Sequence, residues 1–132
     1  MILCDTSMIV ALIRADDQDH RRCTDLMSAI RVQIVTTWPC ITEAMYLVKP
    51  GAGQETLSQM IETGFFRLFE PTQEHAMRAC SLMRQYADAP MDFADASLVV
   101  TAESLTISRI LTLDSHFHAY RINGKTPFEV LP

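Results

Sequence analysis

Short apolar runs alternate along the chain with longer segments in which apolar residues recur every three or four positions. The short runs predict strands at residues 2–4, 32–37, 65–69 and 109–113, with a fifth candidate at 128–131. The longer segments predict helices at residues 8–13, 19–31, 39–48, 53–62, 73–86 and 92–105. This alternation favours a three-layer α/β domain with a mainly parallel sheet of four or five strands.

Two of the predicted helices differ in how much of their surface is apolar. The helix at residues 92–105 is apolar on most sides, which predicts burial, whereas the helix at 73–86 is amphipathic. We expect Ala76, Cys80 and Met83 to form the apolar stripe of the amphipathic helix. No cysteine has a partner at metal-binding spacing, so we expect all four to be reduced and structural. They are Cys4, Cys23, Cys40 and Cys80.

The length and composition describe an ordinary globular protein. A chain of 132 residues is long enough to bury its own core, so we expect a single domain over residues 1–132. No apolar stretch approaches the roughly 18 residues that a membrane span requires. The opening MILCDTS lacks the basic region and cleavage site of a signal peptide, which predicts a cytoplasmic location.

The acidic charge bears on the choice of partner. A net charge of −5 argues at first against nucleic acid, because phosphate binding usually leaves a basic footprint. This objection weakens if metal ions are bound, since removing four carboxylates from a charge of −5 leaves −1. The eleven cations are nine arginines and two lysines, a bias that suits bidentate phosphate contacts but is also common on solvated surfaces.

Five carboxylates stand where predicted strands end or predicted helices begin. Asp5 and Asp114 follow strands, while Glu43, Asp92 and Asp95 lie in the opening turns of helices. Their neighbours are apolar, and a carboxylate at the edge of a core is costly unless it is paired, hydrogen bonded or bound to metal. Carboxylate oxygens are the ligands that Mg²⁺ and Mn²⁺ prefer. The five acids therefore predict a divalent metal site.

Four segments in this order resemble the PIN-domain ribonucleases, in particular the VapC-like toxins of bacterial toxin–antitoxin pairs. They are the ILCDTS start, the Thr-Glu pair at 42–43, the PMDFADASLVVTA segment, and TLDSHFHAYR followed by a terminal strand. The resemblance covers nearly the whole chain. It implies an endoribonuclease that depends on Mg²⁺ or Mn²⁺, with a substrate RNA such as a tRNA. It also implies homodimerisation and inhibition by a small antitoxin protein whose tail occupies the acidic cleft.

The resemblance also ranks the acids. The third acid of the family pattern precedes an Ala, which matches Asp95, so Asp92 is an extra acid with an auxiliary role. The expected catalytic set is Asp5, Glu43, Asp95 and Asp114. The bound ions would orient a water for in-line attack on a phosphodiester and stabilise the leaving oxygen. The hydroxyl side chains beside these acids either hydrogen bond to them or cap helices. These side chains are Thr6, Ser7 and Thr112.

Several alternatives stay open at this point. Helix capping alone would explain any single acid in a first turn. A receiver-type signalling domain is disfavoured, because it would need an acid pair after the first strand, where Asp5 stands alone. The stronger alternative is a PIN-like fold that serves as a non-catalytic RNA-binding or complex-forming module. We interpret His116 and His118 as surface histidines, and Arg121 as an exposed helix-end residue.

Overall fold

A computed structural model describes all residues from Met1 to Pro132. The elements in chain order are β1 (Ile2–Cys4), α1 (Thr6–Ile13), α2 (His20–Ala29), β2 (Ile34–Thr36), α3 (Trp38–Leu47), α4 (Ala52–Glu62), β3 (Phe66–Leu68), α5 (Gln73–Gln85), α6 (Phe93–Leu105), β4 (Arg109–Leu111), a 3₁₀ helix (Ser115–His118), β5 (Arg121–Ile122), β6 (Thr126–Pro127) and β7 (Glu129–Leu131). Five strands form one sheet in the order β3-β2-β1-β4-β7, and every pairing within it is parallel.

The alternation of side chains along each strand produces a core on both faces of the sheet. Leu3 belongs to a cluster that includes residues of α5 and α6, whereas its neighbours Ile2 and Cys4 belong to a second cluster with residues of α1, α2 and α4. Helices therefore cover both faces. The predicted three-layer α/β fold with a parallel sheet is confirmed, including the fifth strand near the C-terminus.

Buried helix α6 lies at the centre of the first cluster. Its residues from Leu98 to Ala102 are all buried, as the apolar composition of this segment predicts. The apolar stripe of α5 is displaced from the predicted one, because Ala79 and Leu82 are the buried residues and Cys80 is exposed. The prediction that all four cysteines are structural is therefore wrong for Cys80 and correct for the three that are buried.

The C-terminal part contains a hairpin that the apolar pattern does not predict. Strands β5 and β6 pair antiparallel, and the backbone N–H of Lys125 donates to the carbonyl of Ile122 at 3.0 Å. Asn123, Gly124 and Lys125 connect the two strands, and Asn123 and Gly124 both have positive φ, as the central residues of a type I′ turn do. The Asn-Gly pair in the sequence is a recognised signal for this turn. No helix of the chain has the length and apolar character of a membrane span.

Candidate active site

Six carboxylates line one cleft at the carboxyl ends of the central strands. The cleft has a volume of about 370 Å³ and also contains Ser7 and Leu47. The carboxylates are Asp5, Asp17, Glu43, Asp92, Asp95 and Asp114. We call this surface the acid cleft. No Lys or Arg lines it, and the four ion pairs that involve arginine are all made with other carboxylates.

Asp5 is the most deeply buried acid of the cleft. It follows β1 and caps α1, accepting a hydrogen bond from the backbone N–H of Thr6 at 2.7 Å. Its second oxygen accepts from the hydroxyl of Thr112 at 2.6 Å and from that of Ser7 at 3.1 Å. Burial raises the pKa of Asp5 to about 6, although these three hydrogen bonds oppose the shift. The negative charge of Asp114 adds to the increase.

Ser7 and Thr112 connect the ends of β1 and β4. Their hydroxyl oxygens are 3.3 Å apart, and the Ser7 oxygen accepts from the backbone N–H of Leu113 at 2.9 Å. The Thr112 oxygen accepts from the backbone N–H of Asp114 at 2.9 Å. The hydroxyl of Thr6 is directed elsewhere, since it donates to the carbonyl of Cys40. Two of the three expected hydroxyl side chains therefore contact the acid.

Asp92 and Asp95 form a reciprocal cap at the start of α6. The Asp92 carboxylate accepts from the backbone N–H of Asp95 at 2.8 Å, and the Asp95 carboxylate accepts from the backbone N–H of Asp92 at 3.1 Å. The Tyr120 hydroxyl donates to the carbonyl of Pro90 and lies 3.4 Å from Asp95 Oδ2. Partial burial, followed by the charges of Asp92, Asp5 and Asp114, raises the pKa of Asp95 to about 8.

His116 is exposed, as its interpretation as a surface histidine expects, and it also contacts an acid of the cleft. Asp114 caps the 3₁₀ helix, and its Oδ1 accepts from the backbone N–H of His116 at 2.9 Å. The Nδ1 atom of His116 lies 2.8 Å from the same oxygen. The imidazole ring also stacks against Tyr120 at a centroid distance of 6.5 Å. His116 therefore holds one oxygen of Asp114 from two directions.

Two further acids complete the cleft. Glu43 lies in the second turn of α3 and not in its opening turn, because Thr37 caps the helix and Trp38 begins it. It is half-buried, and its carboxylate has no hydrogen-bond or ion-pair partner within the chain. Asp17, in the loop between α1 and α2, is not among the predicted site residues. Its carboxylate accepts from the backbone N–H of Asp19 at 2.8 Å.

The unbonded oxygens of the cleft define what it is able to bind. Asp92, Asp95 and Asp114 each use one carboxylate oxygen for internal hydrogen bonds and leave the other without a partner in the chain. No group of three or more His, Cys, Asp or Glu side chains is positioned to hold one metal ion by itself. This donor set suits Mg²⁺, which keeps several waters and takes only a few carboxylates from the protein. It does not suit a closed cage of protein ligands.

Comparison with known proteins agrees with this fold. The family model described as the PIN domain matches residues 2–123. The chain is 27% identical over 135 residues to Ribonuclease VapC26 of Mycobacterium tuberculosis, an alignment that covers 99% of this chain and all of the relative.

Two solved structures share the architecture. The crystal structure of Mycobacterium tuberculosis VapC20, described as a sarcin-ricin loop cleaving toxin, has a TM-score of 0.79 at 19% identity and covers 90% of this chain and 94% of its own. A toxin–antitoxin complex from Klebsiella pneumoniae has a TM-score of 0.67 at 21% identity. The match covers 87% of this chain and 88% of the chain in that complex. The resemblance noted in the sequence is confirmed, and the chain belongs to the PIN domain family.

Proposed function

We propose that this protein is a toxin-type PIN endoribonuclease that hydrolyses RNA phosphodiester bonds with the help of Mg²⁺ or Mn²⁺. The observation that carries the proposal is the acid cleft, in which six carboxylates converge without a neutralising Lys or Arg. Burial, together with the charges of neighbouring acids, raises the pKa of Asp5 and of Asp95 there. Bringing uncompensated like charges together costs free energy unless a cation is bound. The 27% identity to a protein named a ribonuclease supports RNA as the substrate.

The acids divide into those expected to bind metal and those with a second task. We assign Asp5, Glu43, Asp95 and Asp114 to the metal, with Asp92 as an auxiliary ligand that also caps α6. A bound divalent ion would supply positive charge to the phosphate and lower the pKa of a water. The proposal needs no covalent nucleophile, because Cys4 and Cys40 are buried with raised pKa values and do not line the cleft.

The remaining residues of the site act by holding the acids in place. Thr112 and Ser7 orient Asp5, His116 orients Asp114, and Tyr120 adjoins Asp95. Such outer contacts fix which carboxylate oxygen is directed toward the cleft. They also prevent the crowded acids from turning away from one another. The chain would therefore supply position and the negative charge that holds a divalent ion, and the ion would supply the positive charge that a phosphoryl-transfer site requires.

The relatives support a more specific biological role. A toxin–antitoxin complex shares this fold, so we propose that a small antitoxin protein binds this chain and that its tail covers the acid cleft. We propose in addition a homodimer, a cytoplasmic location and a structured cellular RNA, such as a tRNA, as the substrate. These assignments rest on the family membership and on the acid cleft together.

Cleavage of a total cellular RNA pool tests the proposal. The wild type, Asp5→Asn and Asp25→Asn are compared with Mg²⁺, with Mn²⁺ and with chelator. Asp25 is an exposed acid of α2 outside the acid cleft, so its variant controls for the loss of one charge. We expect discrete cleavage by the wild type and Asp25→Asn with either metal, and none with chelator or with Asp5→Asn.

Glu43→Gln provides a second variant in case Asp5→Asn does not fold, since the Glu43 side chain makes no internal hydrogen bond. Cleavage by Asp5→Asn at the wild-type rate would contradict the proposal. RNA binding without cleavage under every condition would instead identify the non-catalytic RNA-binding module.

A further inference from the structure

Two exposed aromatic rings border the acid cleft. Trp38 is 58% exposed and Phe93 is 42% exposed, although large aromatic side chains are usually buried. They line a shallow cavity of about 500 Å³ together with Glu43 and Asp92, which also line the acid cleft. The aromatic surface and the acids thus form one continuous groove. We call the two rings the aromatic pair.

The aromatic pair stands on a packed base. Trp38 is the first residue of α3 and Phe93 is the first residue of α6. The Oγ atoms of Thr37 and Ser97 are 2.7 Å apart and join the two helices just behind the rings. Trp38 and Phe93 also line a small apolar cavity of about 70 Å³ among α3, α5 and α6. The positions of the rings are therefore set by the fold before any ligand arrives.

We propose that Trp38 and Phe93 form a stacking site for an unpaired nucleobase next to the phosphate that is cleaved. The inference rests on the proposed function, because it takes the acid cleft as the place of that phosphate. A phosphate at Glu43 and Asp92 would bring a neighbouring base over the rings, since both acids belong to the two surfaces. Stacking on aromatic side chains is the usual way in which proteins bind unpaired bases.

The charges of the groove favour stacking over phosphate contacts. Neither the acid cleft nor the cavity at the aromatic pair contains Lys or Arg. The protein therefore lacks the usual electrostatic attraction for nucleic acid at this place. Base stacking does not depend on a basic surface, because every base has an apolar face. Together with the positive charge of a bound divalent ion, the aromatic pair would account for RNA binding by an acidic groove.

The area of the aromatic pair is small for a protein partner. Aromatic side chains bury about 150–250 Å² each, so the exposed parts of the two rings amount to roughly 200 Å². A stable protein interface needs roughly 800 Å² from each partner. One nucleobase, in contrast, is matched by two rings. The aromatic pair by itself is therefore large enough to bind an unpaired base, whereas a second copy of the chain would need a larger surface around it.

Trp38 is the only tryptophan of the chain, so its fluorescence reports directly on this site. A short single-stranded RNA and the same sequence as a duplex are titrated into Asp5→Asn with Mg²⁺ and into the wild type with chelator. Fluorescence anisotropy of labelled RNA gives the affinity independently. We expect saturable quenching by the single strand and weaker quenching by the duplex.

Variants of the aromatic pair separate stacking from general apolar character. We expect Phe93→Leu and Trp38→Leu to weaken single-strand binding about tenfold, and Trp38→Phe to restore most of it. Phe65→Leu is the matched control, because Phe65 is 37% exposed but precedes β3, at the amino ends of the strands and away from the acid cleft. This control variant should bind RNA as the wild type does.

Five results would each overturn one part of the account. Equal affinities of Phe93→Leu and Phe65→Leu, or RNA binding without quenching, would overturn the stacking site. The stacking site is also overturned if Trp38→Leu lowers the molar mass in sedimentation while RNA affinity is unchanged, since the rings would then contact a second copy.

Normal stacking with no metal-dependent cleavage would overturn the proposed nuclease alone. Cleavage that is indifferent to both rings would overturn the stacking site alone.

Discussion

Thr112 on the end of β4 donates a hydrogen bond of 2.6 Å to the buried carboxylate of Asp5 on the end of β1. The two residues are far apart in the sequence, and the parallel pairing of β1 with β4 brings them together. The hydrogen bond stabilises the ionised form of Asp5 and so opposes the increase in pKa that burial causes. The pairing of β1 with β4 therefore influences the protonation of Asp5 in the candidate metal site.

Removal of the Thr112 hydroxyl tests whether Asp5 needs this hydrogen bond to bind metal. We expect Thr112→Val to lower Mn²⁺ affinity about 10- to 100-fold at pH 7, because the pKa of Asp5 rises further and its oxygen is no longer held. Thr36→Val is a matched control, since the Thr36 hydroxyl is equally buried but donates to the carbonyl of Cys4. Calorimetric titration with Mn²⁺ measures both variants. Equal affinities would contradict the role assigned to Thr112.

The stability of the metal-free protein should fall as the pH rises. The pKa of Asp5 is raised from 3.8 to about 6 and that of Asp95 from 3.8 to about 8, so the folded state favours their protonated forms. The stability they contribute is complete below pH 3.8 and is lost as the pH passes 6 and then 8. For Asp5 the loss is about 3 kcal/mol, at 1.36 kcal/mol per pKa unit.

Urea unfolding with chelator at pH 5, 6, 7 and 8.5 measures this dependence. A free energy of unfolding that stays constant or rises over this range would show that the carboxylates are not crowded as the structure indicates.

Asp95→Asn distinguishes the destabilisation that the Asp95 charge causes in the metal-free protein from the stabilisation that a bound metal ion provides. The amide oxygen still accepts from the backbone N–H of Asp92, while the charge is removed. We expect the variant to be more stable than the wild type at pH 8 with chelator. Mn²⁺ at 100 times its Kd should raise the Tm of the wild type by about 5–10 °C and that of the variant far less.

Thermal unfolding with and without Mn²⁺ measures both effects. Asp25→Asn again serves as the control and should respond to Mn²⁺ as the wild type does. A variant that is less stable than the wild type without metal would argue against crowding at Asp95.

His116→Ala tests the residue that the sequence pattern assigns to the plain surface. We expect Mn²⁺ affinity to fall about 10- to 100-fold, because the histidine holds one oxygen of Asp114 while the other is directed to the cleft. His118→Ala is the control, since the His118 side chain is exposed and makes no hydrogen bond within the chain. Indistinguishable Mn²⁺ affinities of the two variants would remove His116 from the site.

The placement of most acids follows from local features of the sequence. The apolar runs put Asp5 and Asp114 at strand ends, and parallel strands necessarily bring such residues to one edge. The spacing of Asp92 and Asp95 is that of a capping pair, and the structure shows both hydrogen bonds of that pair. The positions of the acids at predicted strand and helix boundaries selected all five, and the family resemblance ranked Asp95 above Asp92.

Other parts of the site depend on the path of loops, which apolar patterns do not encode. Asp17 reaches the cleft only because the connection between α1 and α2 turns back toward β1. His116 reaches Asp114 through the short 3₁₀ helix, which has no apolar period of its own. The predicted turn for Glu43 is wrong because Thr37, not a later residue, caps α3. Tertiary geometry thus supplied the contacts that local spacing did not contain.

Binding of Mn²⁺ to the wild type and to Asp5→Asn, followed through the paramagnetic resonance signal of free Mn²⁺, tests the central claim most directly. The account predicts saturable binding of one or two ions by the wild type and by Asp25→Asn, and at least tenfold weaker binding by Asp5→Asn. Equal binding by all three proteins, or no binding by the wild type, would contradict the assignment of the acid cleft as a metal site.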